Sequence, residues 1–456
     1  MAGIGFRLRN LMNSESYCGL LQAYGFAGII SSGPWVLSIV GILLIGLFNT
    51  DKGYTQPFVG EFQISVTYLM AFSLLLTSPL QLMFTRFIAD RVYEEKEDLV
   101  LPNLLGAILL VVIIGGVLSA IVLSSLFNGS VMYRVLMLAG FVILSVIWMV
   151  VIILSGLKAH GGILLAFLVG YGITVGASLK LSVFGVEGLL CGFVVGQGVL
   201  FFMLLYLVLR AYSSTQLIAF DFLRRDQIFL TLAATGFLYN LAIWADKLIF
   251  WFNPQTSIAI IAPLRGSELY DMPIFLAYLS ILPGMATFLI RMETDFAEQY
   301  EMFYRAIKEG VPLHRISQIY DDMCQVIRRG FFEIFKVQGM TVIILLALGE
   351  PLLKWVHISP NYQILLNIDL VSVGVQVLLL AVLNLLFYFD YRRDALYLCL
   401  LFALSNILFT LLSQYMGPMF YGYGFAGAVV LSTLVGMFII SRRLDKLMYE
   451  TFMLRQ

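Results

Sequence analysis

The stretch NLLGAILLVVIIGGVLSAIVLSSLF, residues 103–127, holds no Asp, Glu, Lys or Arg. A helix crosses the hydrocarbon layer of a bilayer with about twenty mostly apolar residues, so this run is long enough by itself. Comparable runs lie before and after it, near 23–48, 62–84, 132–157, 162–182 and 186–209. A second set lies near 228–252, 272–291, 330–349, 364–389, 395–416 and 420–440. Gly and Pro interrupt 162–182 and 272–291. Composition agrees with this reading. Of 456 residues, 60% are apolar and 12% charged, the latter about half the usual share. So few charges cannot cover a water-soluble surface. The pattern predicts an all-α polytopic membrane protein with about twelve transmembrane helices.

Orientation follows from the asymmetry of basic residues between alternate loops. With the N-terminus inside, cytoplasmic segments hold 22 Lys and Arg. The outside segments hold five: Lys52, Arg134, Lys180, Arg265 and Lys354. Both termini are therefore expected in the cytoplasm. The first apolar run is too long for the core of a signal peptide and is expected to stay as a membrane helix.

Several function classes drop out. Formal net charge is zero, which gives no general attraction to nucleic acid. Cys18, Cys191, Cys324 and Cys399 are scattered singly, as are His160, His314 and His357, so no metal or cofactor site is expected. No P-loop, GxSxG or HExxH motif occurs. The longest polar segment is too short to fold as a sugar-transferase domain. A non-enzyme is expected.

That polar segment, 292–329, lies between the eighth and ninth spans. Phe296, Tyr300, Phe303 and Ile307 recur at helical spacing, as do Leu313, Ile316, Tyr320, Met323 and Ile327. Gly310-Val311-Pro312 separates the runs, since proline cannot continue the first helix. Two short amphipathic helices are expected. They either lie on lipid headgroups or dock a cytoplasmic partner, with Phe296, Tyr300, Phe303, Ile307, Ile316 and Tyr320 as the contact candidates. Asp321-Asp322 reads as a solvated helix face.

The two sets of six spans show weak internal similarity. AYGF (23–26) answers ATGF (234–237), and FGVEG (184–188) answers YGFAG (423–427). Two six-helix lobes follow, residues 1–210 and 211–456, the second including 292–329. Parallel repeats of this kind are a transporter architecture with the substrate path between halves.

Span seven is the richest in chemistry. At 100° per residue, with Tyr239 at zero, Thr235 falls at about −40°, Asp246 at about −20°, Gly236 at about 60°, Lys247 at about 80° and Asn240 at about 100°. Phe237, Leu241, Ala245 and Leu248 take the other side. A charge within lipid costs on the order of 3 kcal/mol or more, so the polar sector should face helices or a hydrated cavity. The alternative is a local Asp246–Lys247 pair snorkelling to the interface. Tyr239, Asn240, Asp246, Lys247 and Trp35 are the substrate-path candidates. Gly33, Pro34, Pro79, Pro283 and Gly284 are the helix-break candidates, because proline frees a carbonyl and kinks a helix. Asn367, Asp369, Gln376 and Asn384 on span ten either join helices or bond sugar hydroxyls.

MAGIGFRLRNLM (1–12), SYCGLLQAYGFAGIISSGPWVLS (16–38), LTSPLQLMFTRFIADRVYE (76–94), FLYNLAIWADKLIFW (237–251) and ETDFAEQYEMFYRAI (293–307) together resemble the Pel exopolysaccharide transporter family, PelG. That family belongs to the multidrug/oligosaccharidyl-lipid/polysaccharide exporter superfamily, with MATE- and flippase-like folds of two rocking lobes. The resemblance implies export of an N-acetylgalactosamine-rich polymer for biofilm matrix across a bacterial inner membrane. It also implies partnership with the glycosyltransferase PelF, the cyclic-di-GMP receptor PelD and PelE. It carries no substrate-contacting residues. Alternatives are a cation-coupled drug antiporter of the same superfamily and a non-transporting scaffold for a glycosyltransferase.

Overall fold

A computed structural model describes residues 27–28, 36–51, 54–55, 57–127, 129–154, 160–224, 228–355 and 359–453. Gly33, Pro34 and Trp35 lie outside the described residues.

The described chain is almost wholly helical. Helix α1 spans Val36–Phe48, and a two-residue ladder follows, β1 (Thr50–Asp51) against β2 (Tyr54–Thr55). Then come α2 (Pro57–Tyr93), α3 (Val100–Leu126), α4 (Val131–Leu154), α5 (His160–Leu181), α6 (Gly185–Ala211) and α7 (Leu230–Phe252). A small antiparallel hairpin, β3 (Ile258–Ile261) with β4 (Leu264–Gly266), leads into α8 (Glu268–Leu279) and α9 (Ile281–Ile290). The last elements are α10 (Ala297–Lys308), α11 (Leu313–Trp355), α12 (Gln363–Tyr388), α13 (Arg392–Met416) and α14 (Tyr423–Met453).

Nine stretches of the described residues are long and apolar enough to cross a membrane, so the chain is a multi-pass membrane protein. The expected number of twelve is not reached by that measure. One of the nine, residues 161–211, folds as the two helices α5 and α6. They run antiparallel, because Gly192 abuts Ser178, Gly196 abuts Thr174, Gly170 abuts Leu200 and Gly162 abuts Leu207. A methyl group at Gly192 or Gly196 would collide with the facing backbone. Small residues at this spacing let membrane helices approach where no hydrophobic drive exists between them. The α13–α14 hairpin uses the same device, with Gly424 against the Thr410 backbone and Gly436 against Leu398.

The contacts divide into two compact units, one of residues 34–271 and one joining 272–456 with the described part of 1–33. The expected boundary at 210/211 is not where they divide. Helix α7 packs along α2 inside the first unit. The reason is visible at their crossing. Gly236 rests on the Ser78 carbonyl, where a Cβ would leave only 2.5 Å. That carbonyl lies next to Pro79, which sits inside an unbroken α2. Pro79 cannot donate to the Leu75 carbonyl, and the Ser78 hydroxyl bonds it instead at 2.9 Å.

The core of the first unit is a dense apolar cluster. Phe222 meets Phe84 and Phe87 edge-on, while those two stack on each other, among Leu104, Ile147, Met149 and Leu204. In the second unit α12 is the central element, with Val373, Val377, Ala381, Val382, Leu385 and Leu386 all buried.

The segment 292–329 departs from expectation. The second run is not a separate short helix. It is the N-terminal third of α11, which continues for 43 residues to Trp355. Pro312 ends α10 and starts α11 within the loop, leaving nothing to stop the new helix before the membrane-length run. The apolar stripes are also spent internally. Phe296, Phe303 and Ile316 are buried, and Tyr300 packs on Tyr388 and Phe389. Tyr320 donates to the Leu444 carbonyl at 2.6 Å, and Ile307 is half-buried. The periodicity marked a real buried face, but the chain itself covers it.

Candidate functional site

Helix α7 carries two neighbouring charges that both end up enclosed. Asp246 is 0% exposed and Lys247 1%. The Lys247 ammonium donates to the Asp246 carboxylate at 3.0 and 3.2 Å and to the Ile243 carbonyl, one turn back, at 2.9 Å. Tyr270, at the start of α8, donates its hydroxyl to Asp246 Oδ2 at 2.6 Å. Its ring stacks on Phe250 at 3.9 Å between centroids. The Trp244 ring lies 6.0 Å from the ammonium. The pair is buried, and its ammonium does not snorkel in this structure.

A second carboxylate follows directly. Asp271 accepts the Trp251 indole N–H at 2.8 Å on each oxygen, and the Ser267 N–H at 3.1 Å. Trp251 stacks on Tyr68 of α2 at 4.6 Å. Tyr68 in turn donates to the Arg265 carbonyl, and Arg265 bonds Ser257 across the β3–β4 hairpin. The hairpin returns the chain so that Tyr270 and Asp271 meet Asp246 and Trp251 of α7, which is how residues twenty or more positions apart share one polar cluster. Asp246, Asp271 and Lys247 act on each other electrostatically. Each ion taken out of water costs several kcal/mol even after relaxation, so these charges depend on one another's presence.

The remaining α7 candidates are less enclosed. Tyr239 and Asn240 are half-buried, and Asn240 donates to the Gly236 carbonyl of its own helix at 3.1 Å. The wheel placed Ala245 opposite the polar sector, and it too is buried. Phe237, Leu230 and Phe252 are the exposed α7 residues. The wheel had no means of finding Tyr270, Asp271 or Trp251 as partners, since they join only through the hairpin.

The second unit has its own acidic site. Between α9 and α10 the backbone widens into a π-helical turn, Arg291–Phe296, a feature often found at functional positions. Glu293 in this turn is half-buried. It accepts from Asn384 Nδ2 at 3.3 Å and from the Tyr388 hydroxyl at 3.0 Å, both on α12. Arg291 turns away to Asp295 at 2.6 Å and Glu333 at 2.5 Å. Sequence reading noticed Asn384 but not Glu293, because nothing in a linear pattern marks a π turn.

The break between α8 and α9 falls at Ser280, and Pro283 and Gly284, the expected break, lie within the first turn of α9. Gln338 of α11, 2% exposed, donates to the Ser280 carbonyl at 3.2 Å and lies against Gly284, where no Cβ would fit. This break therefore serves as a helix docking point. No group of three or more His, Cys, Asp and Glu side chains that could hold a metal occurs among the described residues.

The family described as "PelG: Putative exopolysaccharide Exporter (EPS-E)" matches residues 1–452. The chain belongs to the PelG family. No curated protein matches it. Among solved structures it is similar to a multidrug resistance MATE family transporter of the MOP superfamily in an outward-facing conformation. That match has 14% identity and a TM-score of 0.65, covering 93% of this chain and 96% of the other. An inward-facing structure of that description matches at 13% identity and TM-score 0.60, over 90% and 95% of the chains. A MOP superfamily transporter from Pyrococcus furiosus, described as having a binding pocket of reversed polarity, matches at 14% and 0.62, over 93% and 96%. The fold is that of MATE-like transporters, and family and fold are those of a transporter.

Proposed function

We propose that this chain exports the Pel exopolysaccharide, an N-acetylgalactosamine-rich polymer of biofilm matrix, across a bacterial inner membrane with both termini in the cytoplasm. The observation that carries the reading is the family match along residues 1–452 on a chain folded throughout as a MATE-like transporter. By family resemblance its partners are the glycosyltransferase PelF and the membrane proteins PelD and PelE.

In this reading the sealed α7 charges are the polar element at which the path opens. A pair buried and bonded on all sides resists movement. Once parted, it presents an ammonium and a carboxylate, with the Asp271 carboxylate nearby, to sugar hydroxyls or amides. Tyr239 and Asn240, half-buried on the same helix, extend that polar surface. The lipid bilayer covers the exposed faces of α3, where Ile113, Val117 and Ile121 stand out.

Deleting the gene in a polymer-producing host tests this. Polymer should vanish from the medium and return on complementation, while resistance to cationic drugs stays unchanged. Gradient-coupled drug efflux by reconstituted protein would instead establish the antiporter reading. The scaffold reading requires that PelF recruitment fail together with export. Export lost while recruitment persists excludes it.

A further inference from the structure

A cavity of about 510 Å³ lies between the N-terminal third of α11 and the C-terminal part of α14. That volume falls within the roughly 300–1,000 Å³ of ordinary small-ligand sites. Asp321 and Arg328 line it from α11, with Ser441 and Asp445 from α14. All three charges act on the Cys324 thiol, which also lines the cavity. Among the described residues, none of the three charged groups has an ion-pair partner within 4.0 Å. The wall below these charges is apolar: Ile327, Phe331, Met437 and Ile440.

The position along both helices is informative. Just past Arg328, α11 exposes Phe332 and Phe335, and just before Ser441, α14 exposes Leu434 and Phe438. The Arg442 guanidinium lies 4.5 Å over the Phe438 ring, an arrangement suited to a cation reaching up from the apolar zone. Both helices thus change from apolar to charged at the cavity. In a membrane protein that change marks the level of the lipid headgroups.

From this we infer that the cavity is a binding site for a zwitterionic phospholipid with a primary ammonium headgroup, of the phosphatidylethanolamine type. The two aspartates take the ammonium, whose three N–H groups suit paired carboxylates. Arg328 takes the phosphate in the bidentate manner of a guanidinium. The glycerol and upper acyl chain run along Ile327, Phe331, Met437 and Ile440. An anionic headgroup without an ammonium meets two like charges, and a quaternary choline offers the aspartates no N–H.

Native mass spectrometry of the purified full chain, given equimolar phosphatidylethanolamine, phosphatidylglycerol and phosphatidylcholine, tests the site. The expected result is severalfold enrichment of one phosphatidylethanolamine over the other two. That enrichment should be lost in D321N/D445N and in the cavity-filling M437W, with melting temperatures unchanged. Headgroup-independent binding to the wild type would overturn the proposal whether or not the variants fold. So would enrichment that survives both.

Discussion

Each unit holds an acid among hydrogen-bond partners, and the two hold it by different means. In the unit of residues 34–271, Asp246 meets a full positive charge on the adjacent Lys247 and a Tyr270 hydroxyl, out of reach of solvent. In the unit of 272–456, Glu293 is half-buried and meets the neutral donors Asn384 and Tyr388. The first arrangement fails badly if one member is removed, because the other charge is left enclosed. The second can lose its charge and keep its shape. Sealed and compensated against open and neutral-bonded is the contrast that substitutions should expose.

The largest effect is expected from Asp246→Ala. It strands the Lys247 ammonium, a change that typically costs about 3–5 kcal/mol. Thermal unfolding in detergent should show a strong drop, and adding Lys247→Met should recover most of it. Next comes Gly236→Ala, which sets a methyl against the Ser78 carbonyl of α2. Overpacking of this kind costs about 1–3 kcal/mol. Gly198→Ala, with open space at its Cβ, should leave the melting temperature unchanged in the same assay. Ser78→Ala removes the donor that replaces the missing Pro79 N–H. A single hydrogen bond of this type is worth about 0.5–1.5 kcal/mol, again read from unfolding. The smallest change is expected for Glu293→Gln. The amide keeps an acceptor for the Tyr388 hydroxyl, so stability should shift by less than about 1 kcal/mol. A Glu293→Gln effect as large as that of Asp246→Ala would erase the contrast.

Most of the architecture was legible in sequence because apolar length is a direct physical demand of the bilayer. The run 103–127 appears as α3, and 186–209 as α6, within a few residues. What escaped was where one element passes into another. Nothing between Pro312 and residue 330 announces that α11 is continuous, since a charged helix and a short surface helix share one pattern. The stripe Phe296–Phe303–Ile316 was read correctly as apolar, but periodicity does not say what covers a face. Here α12 and the α10–α11 pair do, through Tyr388 and Phe389. The site was half legible. Asp246 and Lys247 stand out as charges in an apolar run, whereas Tyr270 and Asp271 come near them only through the β3–β4 hairpin. A pattern within one helix carries no signal of a contact made by folding back.

The central claim is that the α7 charges serve export and not merely folding. The variant D246N/K247M separates these roles, since replacing both members of a buried pair is often neutral for stability. The measurement is extracellular polymer per membrane-embedded exporter, in cells carrying the double variant in place of the native chain. The account predicts a well-folded protein present at native levels with secreted polymer reduced at least about tenfold, a loss of about 1.4 kcal/mol or more in the transport step. Secretion at the native level from that variant would contradict it.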